Sequence, residues 1–97
     1  MNKQKINKYL RENVKETPVN LEKIERYINL LDIYYKLDKS IKEDGVMILT
    51  VNGSQEFMKV NPAISEKNKI NTQLLNIEKS FGFEEGLNVV VERRGLL

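Results

Sequence analysis

Six acids, Glu22, Glu25, Asp32, Asp38, Glu43 and Asp44, lie within residues 22–44. Carboxylates at this density can serve two-metal phosphodiester chemistry, provided they converge on one pocket. Here they alternate with Lys23, Arg26, Lys36, Lys39 and Lys42 at steps of three and four. That is the spacing of ion pairs on a solvated helix face, each contributing about 0.2–0.5 kcal/mol. No metal site and no catalytic residue is expected. The chain has no Cys, His or Trp, which excludes a Cys/His zinc site, a thiol nucleophile, a Ser-His-Asp triad and a histidine base. The five glycines, 45, 53, 82, 86 and 95, stand apart and form no phosphate-binding loop. No cofactor is expected.

Basic residues offer a different chemistry. Residues 1–19 carry Lys3, Lys5, Lys8, Arg11 and Lys15 against Glu12 and Glu16. The formal net charge of +2 over the whole chain originates in this segment. On a helix, Lys8, Arg11 and Lys15 share a face. Lysine and arginine neutralise DNA phosphates and release counterions, so these five are the candidate DNA-binding residues. Arg93 and Arg94 are weaker candidates at the other end. The turn formed by Asn52, Gly53, Ser54 and Gln55 carries no base and reads as a plain turn. Tyr27, Tyr34 and Tyr35 could stack on bases. Their helical spacing with Leu and Ile instead predicts a core or a subunit interface.

The elements that hold these residues can be read along the chain. Residues 1–16 predict a weak helix with the narrow stripe Ile6, Tyr9, Leu10 and Val14, prone to fray or to fold on a partner. Pro18 ends it, because a residue before proline is pushed out of the α region. Residues 20–44 predict a long helix, capped by Asn20 and stopped by Gly45. Two apolar stripes run along it, one with Leu21, Ile24, Ile28, Leu31 and Tyr35, the other with Tyr27, Leu30, Tyr34, Leu37 and Ile41. Residues 46–60 predict a β-hairpin turning at the pair Asn52-Gly53, with positive φ at both. A lone ribbon is marginal and needs a helix or a neighbouring subunit beneath it. Residues 61–81 predict a second helix, capped by Asn61, with Pro62 at its first position and Ala63, Ile64, Ile70, Leu74, Ile77 and Phe81 on one face, interrupted by Lys67. Residues 87–91 favour a strand.

The fold class is therefore mainly α: two long helices joined by a β-hairpin, a weak N-terminal helix, and a short C-terminal strand or helix. The organisation is a basic segment over 1–19, a helix–hairpin–helix core over 20–83 and a tail over 84–97. Size adds a constraint. A helix over 20–44 is about 36 Å long. A compact chain of 97 residues would be only roughly 32 Å across. Its own polypeptide can hardly cover the apolar arc, so self-association is expected, with Tyr27, Leu30, Tyr34, Leu37 and Ile41 as the candidate oligomer interface. The longest apolar run, 46–49, is far short of the ~20 residues needed to cross a bilayer. No apolar signal segment follows the basic start. A soluble, cytoplasmic protein without a membrane partner is expected.

Taken in order, residues 21–83 resemble the small subunit of phage terminase. The resembling block holds the long helix over 24–38, Ser40 to Gly45, the Asn52-Gly53 hairpin, the run Val60, Asn61, Pro62 and Ala63, and a closing stretch from Leu74 to Phe81, Gly82 and Phe83. After Phe83 the chain departs from the family pattern. Glu84, Glu85 and Gly86 stand where relatives often continue with a Thr-Pro turn and an arginine-bearing helix. The resemblance implies a non-enzymatic subunit that binds double-stranded viral DNA and assembles as a ring. It also implies a partner, the terminase large subunit, which owns the ATPase and nuclease, in a bacterial host cell. Two other readings fit the element order: a small winged-helix-like DNA-binding regulator, and an assembly protein that binds no nucleic acid.

Overall fold

The computed structural model describes residues 2–82. Among them are three helices and one hairpin: α1 (Lys3–Asn13), α2 (Pro18–Asp44), β1 (Met47–Asn52), β2 (Gln55–Val60) and α3 (Pro62–Ser80). The expected mainly α fold, with a hairpin between two long helices, is what the chain adopts. The tail strand expected over 87–91 lies outside the described residues, as do Arg93 and Arg94.

Helix α1 begins at Asn2, whose side-chain oxygen accepts from the N–H groups of Gln4 and Lys5 at 3.0 and 3.2 Å. Its apolar stripe is Ile6, Leu10 and Val14, at steps of four, and the latter two are buried. The partner this weak helix needed is α2 of the same chain. Tyr9 is not in that stripe and points outward.

Helix α2 starts two residues earlier than expected. Pro18 takes the first helical position, where a missing N–H costs nothing, and Thr17 is the cap. Thr17 Oγ1 accepts from the N–H of Asn20 at 3.1 Å. Asn20 is thus inside the first turn, and its own amide donates to the Lys15 carbonyl at 2.9 Å. The Thr-Pro pair starts α2, but it does not stop α1, which was expected to run to residue 16 and ends at Asn13, with Val14 already extended. At the other end Gly45 adopts φ +92°, a region L side chains rarely occupy, and its N–H closes the last turn onto Ile41 at 2.7 Å.

Helix α3 returns antiparallel along α2. Phe81 stands edge-on to Tyr27 with ring centroids 6.1 Å apart, while Lys67 reaches Asp38. The core between α1, α2 and α3 contains Leu10, Val14, Ile24, Tyr27, Leu31 and Leu74, with Ile24 only 1% exposed. Fully burying a Leu or Ile contributes about 1.5–3 kcal/mol, so this small set carries most of the helical packing.

The strands pair antiparallel, with Leu49 opposite Met58 and Asn52 opposite Gln55. The two-residue turn is therefore Gly53-Ser54, one position later than expected. Gly53 has φ +65°, and no non-glycine residue among those described has positive φ. Positive φ at the first central position alone is the type II′ pattern, which also matches strand twist. The expectation of positive φ at Asn52 is corrected.

The molecule is long, 60 × 36 × 21 Å, with a radius of gyration of 18.6 Å. A compact chain of this length would have a radius near 12 Å. The excess comes from α2 and from the hairpin, which stands clear of the helices with every residue of β2 exposed. The ribbon was expected to rest on a helix or on a neighbouring subunit, and no helix among the described residues covers it.

Candidate nucleic-acid interface

The five N-terminal bases separate into two sets. Lys3 forms an ion pair with Asp32, and Arg11 with Glu25, both on α2. These pairs make α1 antiparallel to α2. Arg11 is further fixed by its Nε donating to Asn7 Oδ1 at 2.9 Å. Lys3 and Arg11 therefore act first as fasteners of α1. Lys5 and Lys8 sit with Tyr9 and Glu12 on the outward face, where Lys8 lies 3.9 Å from Glu12. Helix α1 ends at Asn13, so Lys15 leaves the face it was expected to share with Lys8 and Arg11. It sits exposed in the link to α2. Among the described residues Lys5 and Lys15 have no ion pair, which makes them, with Lys8, the bases most available to a phosphate.

The acids of α2 are disposed as counter-charges. Asp32 pairs with Lys3 and with Lys36 at 3.0 Å. The Lys3 ammonium, then Lys36, holds the Asp32 carboxyl below the ordinary carboxylate range. Asp38 pairs with Lys67 at 2.6 Å and Lys42 at 2.9 Å. The Lys67 bond, then the Lys42 bond, lowers it in the same direction. Lys67 is raised in return, first by its bond to Asp38. Glu22 pairs with Arg26, and Glu43 lies 3.9 Å from Lys39. No three metal-ligating side chains converge among the described residues.

Lys67 interrupts the apolar face of α3 in the sequence, and the fold explains it. Its ammonium also sits 5.0 Å from the centre of the Tyr34 ring, a cation–π contact. Lys23 plays the same part at the other end, 5.5 Å from the Phe81 ring and 3.3 Å from the Ser80 carbonyl. The roles of Asp32, Asp38, Glu25 and Lys67 were not read from the sequence. One signal was available. Glu25 and Asp32 are seven apart, two helical turns, and Lys3 and Arg11 are eight apart, so an antiparallel helix pair brings both together.

The candidate interface residues of α2 are graded along the helix. Tyr27 lies in the chain's own core, 8% exposed, and burial together with the Glu78 carboxylate pushes its hydroxyl well above the ordinary tyrosine range. Leu30 and Tyr34 are half-buried against the same core. Leu37 and Ile41, beyond it, are half-buried as well.

No helix among the described residues is long and apolar enough to cross a membrane. Compared with curated proteins and with solved structures, the chain finds no significant match. A family model described as "Phage terminase, small subunit" matches residues 4–85, taking in α1 as well as the helix–hairpin–helix core. Over that span, from the docked basic helix to the end of α3, the chain belongs to the phage terminase small subunit family.

Proposed function

We propose that this chain binds double-stranded viral DNA and assembles, as a ring of copies, with the terminase large subunit to start genome packaging. The observation that carries the reading is the family match over residues 4–85. Supporting it, α1 presents Lys5 and Lys8 outward while Lys3 and Arg11 hold the helix in place. The chain itself is a non-enzymatic subunit; ATP hydrolysis and DNA cleavage belong to the partner. DNA is held mainly through phosphates, by Lys5, Lys8 and Lys15, with Arg93 and Arg94 as further contacts.

The regulator reading has less support. The tip of the proposed wing, from Asn52 to Gln55, carries no base, and α1 runs antiparallel to α2 rather than crossing it steeply as a helix-turn-helix does.

The test is duplex affinity measured against salt. Lys5, Lys8 and Lys15 changed together to Ala should weaken binding across unrelated sequences. The logarithmic salt slope should fall by roughly 1 for each phosphate that is no longer neutralised. Equal binding by wild type and triple variant removes the assignment of these residues. No binding by wild type at low salt leaves the assembly protein without nucleic acid as the reading.

A further inference from the structure

Arg11 stands at the boundary between the docked and the outward face of α1. Lys8, three residues before it, is its neighbour on the helix surface. The Arg11 guanidinium is held at two points. Its Nε donates to Asn7 Oδ1 at 2.9 Å, and its Nη2 donates to the Glu25 carboxylate. A guanidinium carries five N–H donors in a fixed fork. The other donors of Arg11 meet no acceptor among the described residues. Asn7 therefore fixes the stem of the group and leaves the two Nη atoms as the end that can change partner.

The two ion pairs that join α1 to α2 are not equivalent. The Asp32 side chain is 34% exposed and is shared by Lys3 and Lys36. The Glu25 side chain is 72% exposed, and among the described residues its one ion-pair partner is Arg11. Water screens a pair this open, so it holds weakly. A DNA phosphate competes for the same donors, and it accepts both Nη atoms side by side. Giving up Glu25 does not undock α1. Leu10 and Val14 stay buried, and Lys3 stays on Asp32.

We propose that Arg11 is a phosphate ligand held in reserve, and that Glu25 is the stand-in anion that occupies it until a duplex arrives. Binding exchanges the Glu25 carboxylate for a backbone phosphate of the strand lying on Lys5 and Lys8. Asn7 keeps its bond to Nε throughout and acts as a positioning residue. Glu25 is left exposed beside the incoming phosphate and repels it. The acid is thus a brake on affinity, built into the same contact that helps to fasten α1. Two rivals for one guanidinium make the fastening of Arg11 and its use on DNA mutually exclusive. The inference rests on the DNA-binding part of the proposed function.

The test is a mutant cycle on the full-length chain, read as affinity for a duplex of arbitrary sequence across a salt series. Glu25→Gln should tighten binding by about 1.5–5-fold, the range spanned by an exposed pair. The same change in the Arg11→Gln background should lose that gain. Arg11→Gln alone should lower the logarithmic salt slope by roughly 1. Asn7→Ala should weaken binding in wild type and have no effect beside Arg11→Gln; an equal loss in both removes its positioning role. If Glu25→Gln weakens binding or leaves it unchanged, the pair is a fastener alone and the proposal is overturned. If it tightens binding equally with and without Arg11, long-range charge is the cause and the proposal is overturned as well. When wild type binds and the cycle fails, this inference alone is lost. When wild type binds no duplex at low salt, the DNA reading falls and takes it along.

Discussion

The side-chain amide of Asn61 donates to the carbonyl of Gly45 at 2.9 Å, across sixteen positions of chain. The same residue caps α3, its oxygen accepting from the Ala63 N–H at 3.0 Å, and its backbone N–H bonds the Val46 carbonyl at 2.7 Å. At 5% exposure it is the buried polar residue where α2, the hairpin and α3 meet. Asn61→Ala loses a cap and leaves the Gly45 carbonyl without its partner. The expected cost is about 2–4 kcal/mol in urea denaturation. Asn61→Asp keeps the cap and should cost less.

Acid should loosen the helix pairing. Asp32 and Asp38 have folded values below the ordinary 3.8. Their stabilisation is fully present above that value and is lost as pH falls below it through the folded values. Urea midpoints are expected to be flat above a pH of about 5 and to fall below about 4. Asp32→Asn should flatten part of that limb and speed amide exchange in α1, which it helps to hold.

At the alkaline end the sign reverses. The Tyr27 hydroxyl lies above its ordinary 10.0, so its contribution is intact below 10.0 and is lost as pH rises beyond it, when the unfolded chain ionises first. Lys67, raised from 10.5, acts in the same direction at higher pH. Tyr27→Phe should flatten the first part of the alkaline limb in a pH series of thermal unfolding. A slope unchanged by that substitution removes Tyr27 as its cause.

The turn makes a sharp contrast. Gly53→Ala places a side chain at φ +65° and should destabilise the ribbon by about 1–2 kcal/mol. Asn52→Ala sits at the end of β1 without positive φ and should change little, within roughly 0.5 kcal/mol. Hairpin amide exchange reads both, and the helical signal should respond to neither.

Elements were legible wherever local rules act alone. Asn61 followed by Pro62 is a helix start in any context, and the run of stripes from Leu21 to Ile41 is a helix. Thr17-Pro18 has the same grammar, but reading it as the breaker of α1, which ends earlier at Asn13, hid its role as the start of α2. The hairpin slipped by one because Gly53 satisfies either of two tight turns, and cross-strand register chose between them. What sequence spacing did not yield was who pairs with whom. Lys3 and Arg11 are phosphate binders by residue type, yet opposite Asp32 and Glu25 they fasten one helix to another. Lys67 breaks an apolar stripe on paper and closes it in space over Tyr34.

The knot at Asn61 has one more effect. Because the chain leaves α2 and rejoins α3 through a single residue, the paired helices are complete without anything in between. Residues 46–60 are an outgrowth on a finished helical hairpin, and loop closure penalises length only slowly. Outgrowths of other lengths and faces can be carried on the same stem, leaving the helical core of Ile24, Leu31 and Leu74 undisturbed. Partner choice and scaffold stability can then change independently.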